Sequence, residues 1–167
     1  MFQSFLVSYE RFVHIVNNIS VKAAGILLLF MMSLTFFDVL GRELYRPILG
    51  AHELTYLALA VFIFFSLGYT EQKKGHISVD FLVDKLPERA QVWLSLVIYL
   101  ITFMLLTLMT WKTFSFSIQL STTETGELGM PVSMFVMLCG IGLILYVLTV
   151  LLGLLKTIGE AVGTYES

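Results

Sequence analysis

An all-α integral membrane protein is the fold class this sequence predicts, and three observations predict it. The chain is 57% hydrophobic and only 13% charged, against about 25% charged in ordinary soluble domains. Its charged side chains gather in clusters and leave long stretches without one, at Ala23 to Phe37, Leu54 to Thr70, Ala90 to Trp111 and Leu128 to Leu155. A helix crossing about 30 Å of hydrocarbon needs about 20 mostly apolar residues. A single membrane domain over residues 1–167 follows, with four transmembrane helices at about 20–40, 54–70, 90–111 and 130–155. An N-terminal amphipathic interfacial helix and a short cytoplasmic amphipathic helix between spans two and three complete the expected fold.

Phe2, Phe5, Leu6, Tyr9, Phe12, Val13 and Val16 recur at three- and four-residue steps, with Ser4, Ser8, Glu10, Arg11 and Asn17 on the remaining face. This pattern predicts a helix over 1–19 lying in the interface. Glu10, Arg11 and Asn17 break up any signal-peptide core, so the amino terminus is expected to stay in the mature protein. Asn17, Asn18 and Ser20 are capping residue types placed just before span one. Gly41, Pro47 and Gly50 then punctuate a short polar connection to span two.

After span two, Lys73 to Pro87 sets Val79, Leu82, Val83 and Leu86 on one helical face and His76, Asp80 and Asp84 on the other. A divalent metal site or a proton relay would use that spacing. Lys85 beside the row and the lack of further ligands favour a surface helix with one wet face instead. Trp93 and Trp111 stand near the ends of span three, about 27 Å apart along a helix, as membrane-interface anchors for two headgroup belts. A polar loop, Ser115 to Gly129, follows, and Pro131 suits the first turn of span four. Gly140 and Gly142 allow a close helix approach there, and the single cysteine, Cys139, reads as a small buried apolar residue.

Composition also excludes function classes. A net charge of −2 without a basic stripe gives no footprint for nucleic acid. No nucleophile and base pair, phosphate-binding glycine loop or histidine pair at membrane depth is present, so neither an enzyme nor a haem-carrying anchor is indicated, and no cofactor is expected. The four charge-free stretches hold no Asp, Glu, Lys, Arg or His, whereas an ion-coupled carrier working alone needs such groups or broken helices near the midplane. Asp38 comes closest, one turn before Arg42, which can pair with it. Glu53 opens span two beside His52, where it can favour the helix start or meet a partner protein. Arg11, Lys22, Lys73, Lys74, Lys85, Arg89 and Lys156 fall on one side of the bilayer, and only Arg42, Arg46 and Lys112 on the other, which predicts both termini in the cytoplasm.

The string GRELYRPILGAHELTYLALAVFIFFSLGYTEQKKGHISVDFLVDKLP, Gly41 to Pro87, resembles the small membrane subunit of tripartite ATP-independent periplasmic (TRAP) transporters. Arg42, Pro47, Glu53, Gly75, His76, Val79, Asp80, Leu86 and Pro87 carry the likeness; Ala51 and His52 stand where many members have a tryptophan before the glutamate. The resemblance implies a scaffold in the bacterial inner membrane, paired with a large elevator-type subunit that holds the sodium and substrate sites. A periplasmic substrate-binding protein delivers an organic acid, such as a sialic acid or a C4-dicarboxylate, to the pair. Arg42, Glu43 and Arg46 would then face the periplasm and dock that protein, while Asp38, Glu53, His76 and Asp80 would make subunit or interface contacts. A small stand-alone carrier and a membrane anchor for an enzyme complex are the alternative classes.

Overall fold

The computed structural model describes residues 2–44, 46–73 and 88–165. Among the described residues the helices are α1 (Phe2–Leu44), α2 (Ala51–Gln72), α3 (Glu88–Gln119) and α4 (Val132–Tyr165), with a 3-10 turn at Leu120–Thr122. All four are long and apolar enough to cross a membrane. The surface helix expected around His76, Asp80 and Asp84 lies outside the described residues.

The expected interfacial helix and span one form one unbroken helix of 43 residues, about 64 Å long and so twice the hydrocarbon thickness. Asn17 and Ser20 do not cap it. They fall on a buried stripe with Val13, Ala24, Met31 and Asp38, whose 3.5-residue average step is that of a helix-packing seam. The amide of Asn17 finds its partners on other helices, so nothing requires the chain to leave the helical path there. The amphipathic pattern is also turned inside out relative to a soluble helix. Val7, Phe12 and Ile15 are exposed, while Asn17 is buried.

Helix α4 is the hub. It packs with α1 and α2 as a triangle, and α3 lies along its other flank without extended contact to α1 or α2. Glycines set these approaches. A Cβ on Gly142 would stand 2.8 Å from the Phe64 backbone of α2, and one on Gly140 would meet the Phe114 ring of α3 at 2.9 Å. The two glycines singled out in the sequence thus serve different neighbours. Between α3 and α4, Leu106, Leu143 and Val150 form a small apolar core flanked by Phe64, Tyr99, Phe103, Tyr146 and Val147. Cys139 is buried, as its context predicts.

Helix α3 continues to Gln119, two turns beyond Trp111, through residues expected to belong to a polar loop. The hydroxyls of Thr113 and Ser115 bond back to the carbonyls of Met109 and Trp111 at 2.9 and 3.0 Å. Ser117 reaches across to the carbonyl of Ser133 on α4 at 2.9 Å. Their polarity is satisfied inside the helix pair, which removes the reason to end the helix.

Gly142→Ala should force α2 from α4 and cost about 1–3 kcal/mol, because the atoms it meets are backbone. Gly25→Ala, with nothing within 4 Å of the added carbon, should be neutral or stabilising by up to about 1 kcal/mol. Unfolding of the two variants in detergent, followed by circular dichroism, checks the contrast.

Candidate functional site

Two polar nodes close the α1–α2 pair at its opposite ends. At the end carrying the α1–α2 connection, Asp38 is the last residue of the buried stripe, 3% exposed. Its Oδ2 accepts from Arg42 Nε at 2.9 Å and lies 2.8 Å from Arg42 Nη2. Its Oδ1 accepts the Ile48 N–H at 2.9 Å, which turns the chain back toward α2. Arg42 Nη2 also lies 2.8 Å from His52 Nε2. A guanidinium can only donate, so that ring nitrogen is the acceptor.

Beside this knot, the α1–α2 and α3–α4 connections clasp each other reciprocally. Glu127 Oε2 accepts the Gly50 N–H at 2.6 Å, and the two oxygens of Glu53 accept the N–H groups of Glu127 and Leu128 at 2.9 and 3.2 Å. Each connection lends a carboxylate to the backbone of the other. Gly50 is left-handed, with φ +74°, and a Cβ there would overlap the Leu128 side chain at 2.3 Å. The second connection is itself a built turn. Thr125 N–H meets the Met130 carbonyl at 2.9 Å, and Thr125 Oγ1 accepts the Met130 N–H at 3.0 Å.

At the other end, Asn17 Nδ2 faces three acceptors: Thr149 Oγ1 at 2.8 Å, Gln72 Oε1 at 2.9 Å and the Gly68 carbonyl at 3.3 Å. Only the amide nitrogen suits that company, because none of the three offers it a proton in this arrangement. Thr149 gives its own hydrogen to the Leu145 carbonyl at 2.9 Å. Gln72 continues outward to His14 Nδ1, His14 Nε2 lies 3.6 Å from Glu10, and Glu10 accepts from Lys156 at 2.6 Å. Tyr9 donates to the Leu148 carbonyl at 3.0 Å. One network therefore binds α1, α2 and α4.

Of the residues singled out in the sequence, Asp38, Glu53 and Arg42 come together around the first cluster. Glu43 and Arg46 are exposed near it. Trp93 and Trp111 are both exposed, at 58% and 73%, but the helix continues two turns past Trp111, so that ring does not mark a helix end. His76 and Asp80 lie outside the described residues. Sequence reasoning missed Asn17 as a tertiary node and Glu127 as half of the clasp. The register of Asn17 with Val13, Ser20 and Ala24 was the available signal; nothing local to Glu127 announces a partner 77 positions away. It also ended span three at Trp111, just before Lys112, whereas the helix runs on to Gln119.

Between α3 and α4 runs an open groove of about 450 Å³ lined by Thr107, Thr110, Trp111, Phe114, Ile144, Val147 and Leu148. Thr107 and Thr110 turn their hydroxyls to the Phe103 and Leu106 carbonyls. The groove offers an acyl chain or an apolar side chain a surface, but gives a carboxylate no donor. Among the described residues, no three His, Cys, Asp or Glu side chains converge as a metal site.

Residues 31–159 match the family of tripartite ATP-independent periplasmic transporters, DctQ component. The match takes in the whole clasp and the partners of Asn17, and leaves out Asn17 itself. No curated protein matches the chain.

Asn17→Asp should destabilise the bundle more than Asn17→Ala. The aspartate sets oxygen lone pairs against the Gly68 carbonyl and Gln72 Oε1, whereas alanine leaves Thr149 still bonded to Leu145. A cost of about 1–3 kcal/mol is expected for alanine, more for the carboxylate, measured by unfolding in detergent micelles.

Proposed function

Because the chain belongs to the DctQ-component family of TRAP transporters, a family of transport components and not of enzymes, we propose that it is the fixed scaffold of a sodium-coupled organic acid importer. It pairs with a large elevator-type membrane subunit in the bacterial inner membrane, with both termini in the cytoplasm, and helps dock a periplasmic substrate-binding protein. One observation carries the scaffold role. The carboxylates of Asp38 and Glu53 hold backbone N–H groups of the connections, which fixes the outer surface in one shape. A group engaged in this way favours a rigid platform over a moving ion site, and it weighs against a stand-alone carrier built on either residue.

Arg42, Glu43 and Arg46 form the proposed docking surface for the soluble protein. Asp38 and His52 hold the Arg42 guanidinium in place, so its outward edge is preorganised before any partner arrives. His76 and Asp80 are proposed as contacts on the cytoplasmic side. Trp93 and Trp111 keep their proposed role as interface anchors, about 27 Å apart along α3. The transported acid is selected by the other subunits.

Affinity purification of the tagged chain in mild detergent tests the assembly. A large multi-span membrane protein should co-elute; a soluble catalytic subunit in its place would mean an enzyme anchor. Docking is tested with Glu43→Lys combined with Arg46→Glu, which spares the Asp38–Arg42 pair. Uptake driven by the soluble protein should fall several-fold and become less salt-sensitive while the membrane pair still co-purifies. Unchanged uptake would move docking elsewhere.

A further inference from the structure

His14 stands where the buried amide network of Asn17 reaches the surface, and that network dictates which form of its ring can be held. The Gly68 carbonyl can only accept, and Thr149 has given its hydrogen to the Leu145 carbonyl. The group that Asn17 turns toward both is therefore its NH2. The same nitrogen faces Gln72 at 2.9 Å, which makes the facing atom of Gln72 its oxygen. That leaves the NH2 of Gln72 to meet His14 Nδ1, so Nδ1 must accept. An imidazolium has no acceptor nitrogen, and only neutral His14 completes the chain.

The charged groups around the ring come from three helices. His14 Nε2 lies 3.6 Å from Glu10 Oε1, the same oxygen that takes Lys156 of α4 at 2.6 Å. A lysine already neutralises this carboxylate, which reduces what it can offer a charged ring. Arg11, three residues before His14 on α1, is a further cation on that side. On α2, Glu71 accepts from the Tyr146 hydroxyl, and the Lys73 ammonium lies over the Tyr69 ring at 5.7 Å. The His14 side chain is 48% exposed, so a proton can reach it from water.

A protonated His14 turns a donor toward the Gln72 NH2. Flipping the Gln72 amide restores that contact and breaks the next, since its NH2 then faces the NH2 of Asn17. Flipping Asn17 as well sets its oxygen against the Gly68 carbonyl. Whichever contact gives way, α1 loses a link to α2. The His14–Glu10 pair lies within α1 and cannot replace it.

We propose that His14, Gln72 and Asn17 form an acid-sensitive latch between α1 and α2, closed while His14 is neutral and open once its ring takes a proton. The link is present at neutral pH and lost as the pH falls through the range in which histidine titrates, about 8 to 5.

The test is backbone hydrogen exchange of the full chain in detergent at about pH 7.5 and 5.5, corrected for the intrinsic rate and read over residues 69–72. Wild-type exchange there should quicken about three- to tenfold at the lower pH, the factor for one lost hydrogen bond. In His14→Asn the amide oxygen stands where Nδ1 does and does not titrate, so the slow exchange should hold at both pH values. His14→Ala should exchange fast at both. His52 and His76 are retained in both variants, which makes their titration common to all three proteins. Equal wild-type protection at the two pH values overturns the proposal. So does greater protection at the lower pH, which would mean that Glu10 holds the charged ring. A pH response that survives in His14→Asn, or full protection in His14→Ala at neutral pH, overturns it as well.

Discussion

Hydrocarbon offers no water to a stranded amide, hydroxyl or carboxylate, so every polar group carried into the bilayer must find its partner in protein. The arrangement of this chain follows from that constraint. Asn17 is inside because Gly68, Gln72 and Thr149 surround its amide. Thr107, Thr110, Thr113 and Ser115 stay in a membrane helix because each returns its hydrogen to a carbonyl one turn back. Asp38 closes the buried stripe because Arg42 and the Ile48 N–H take its two oxygens. The nodes at Asn17 and Asp38 lie 21 residues apart on α1, about 31 Å of helix, close to the hydrocarbon thickness. Between them α1 buries Ser20, Ala24 and Met31, and the close helix approaches fall to glycines such as Gly142 on α4, where the hydrophobic effect gives no drive between helices.

The same constraint separates what was legible in the sequence from what was not. Charge-free runs reveal spans directly, since a charged side chain at depth is the costliest residue to place. The four helices, the buried Cys139 and the close approaches at Gly140 and Gly142 are all readable in this way. Helix ends are less so. A run such as Ser115 to Gln119 looks like a loop by composition, yet its hydroxyls bond within the helix pair. Asn17 looks like a cap for the same reason, because residue type alone does not say whether an amide will meet a backbone end or another helix. Glu53 and Glu127 are each ordinary loop glutamates until the fold brings the two connections together. The Asp38–Arg42 pair, by contrast, is local in sequence and was expected.

As a component of a TRAP transporter, the chain makes sense as an inert frame. Its buried polarity is directed inward and holds helices and connections to one another, while the surfaces of α1 and α3 are apolar and open to lipid or to other subunits. The proposed scaffold role asks for a part that does not move, and a bundle pinned at both ends of its first helix pair suits that task.

The most direct measurement is uptake of radiolabelled organic acid into liposomes under a sodium gradient. It is made with this chain alone, with the large subunit alone, and with both plus the soluble binding protein. No uptake by this chain alone and sodium-driven uptake by the full set are the expected results. Substrate accumulation by this chain alone would contradict the scaffold role.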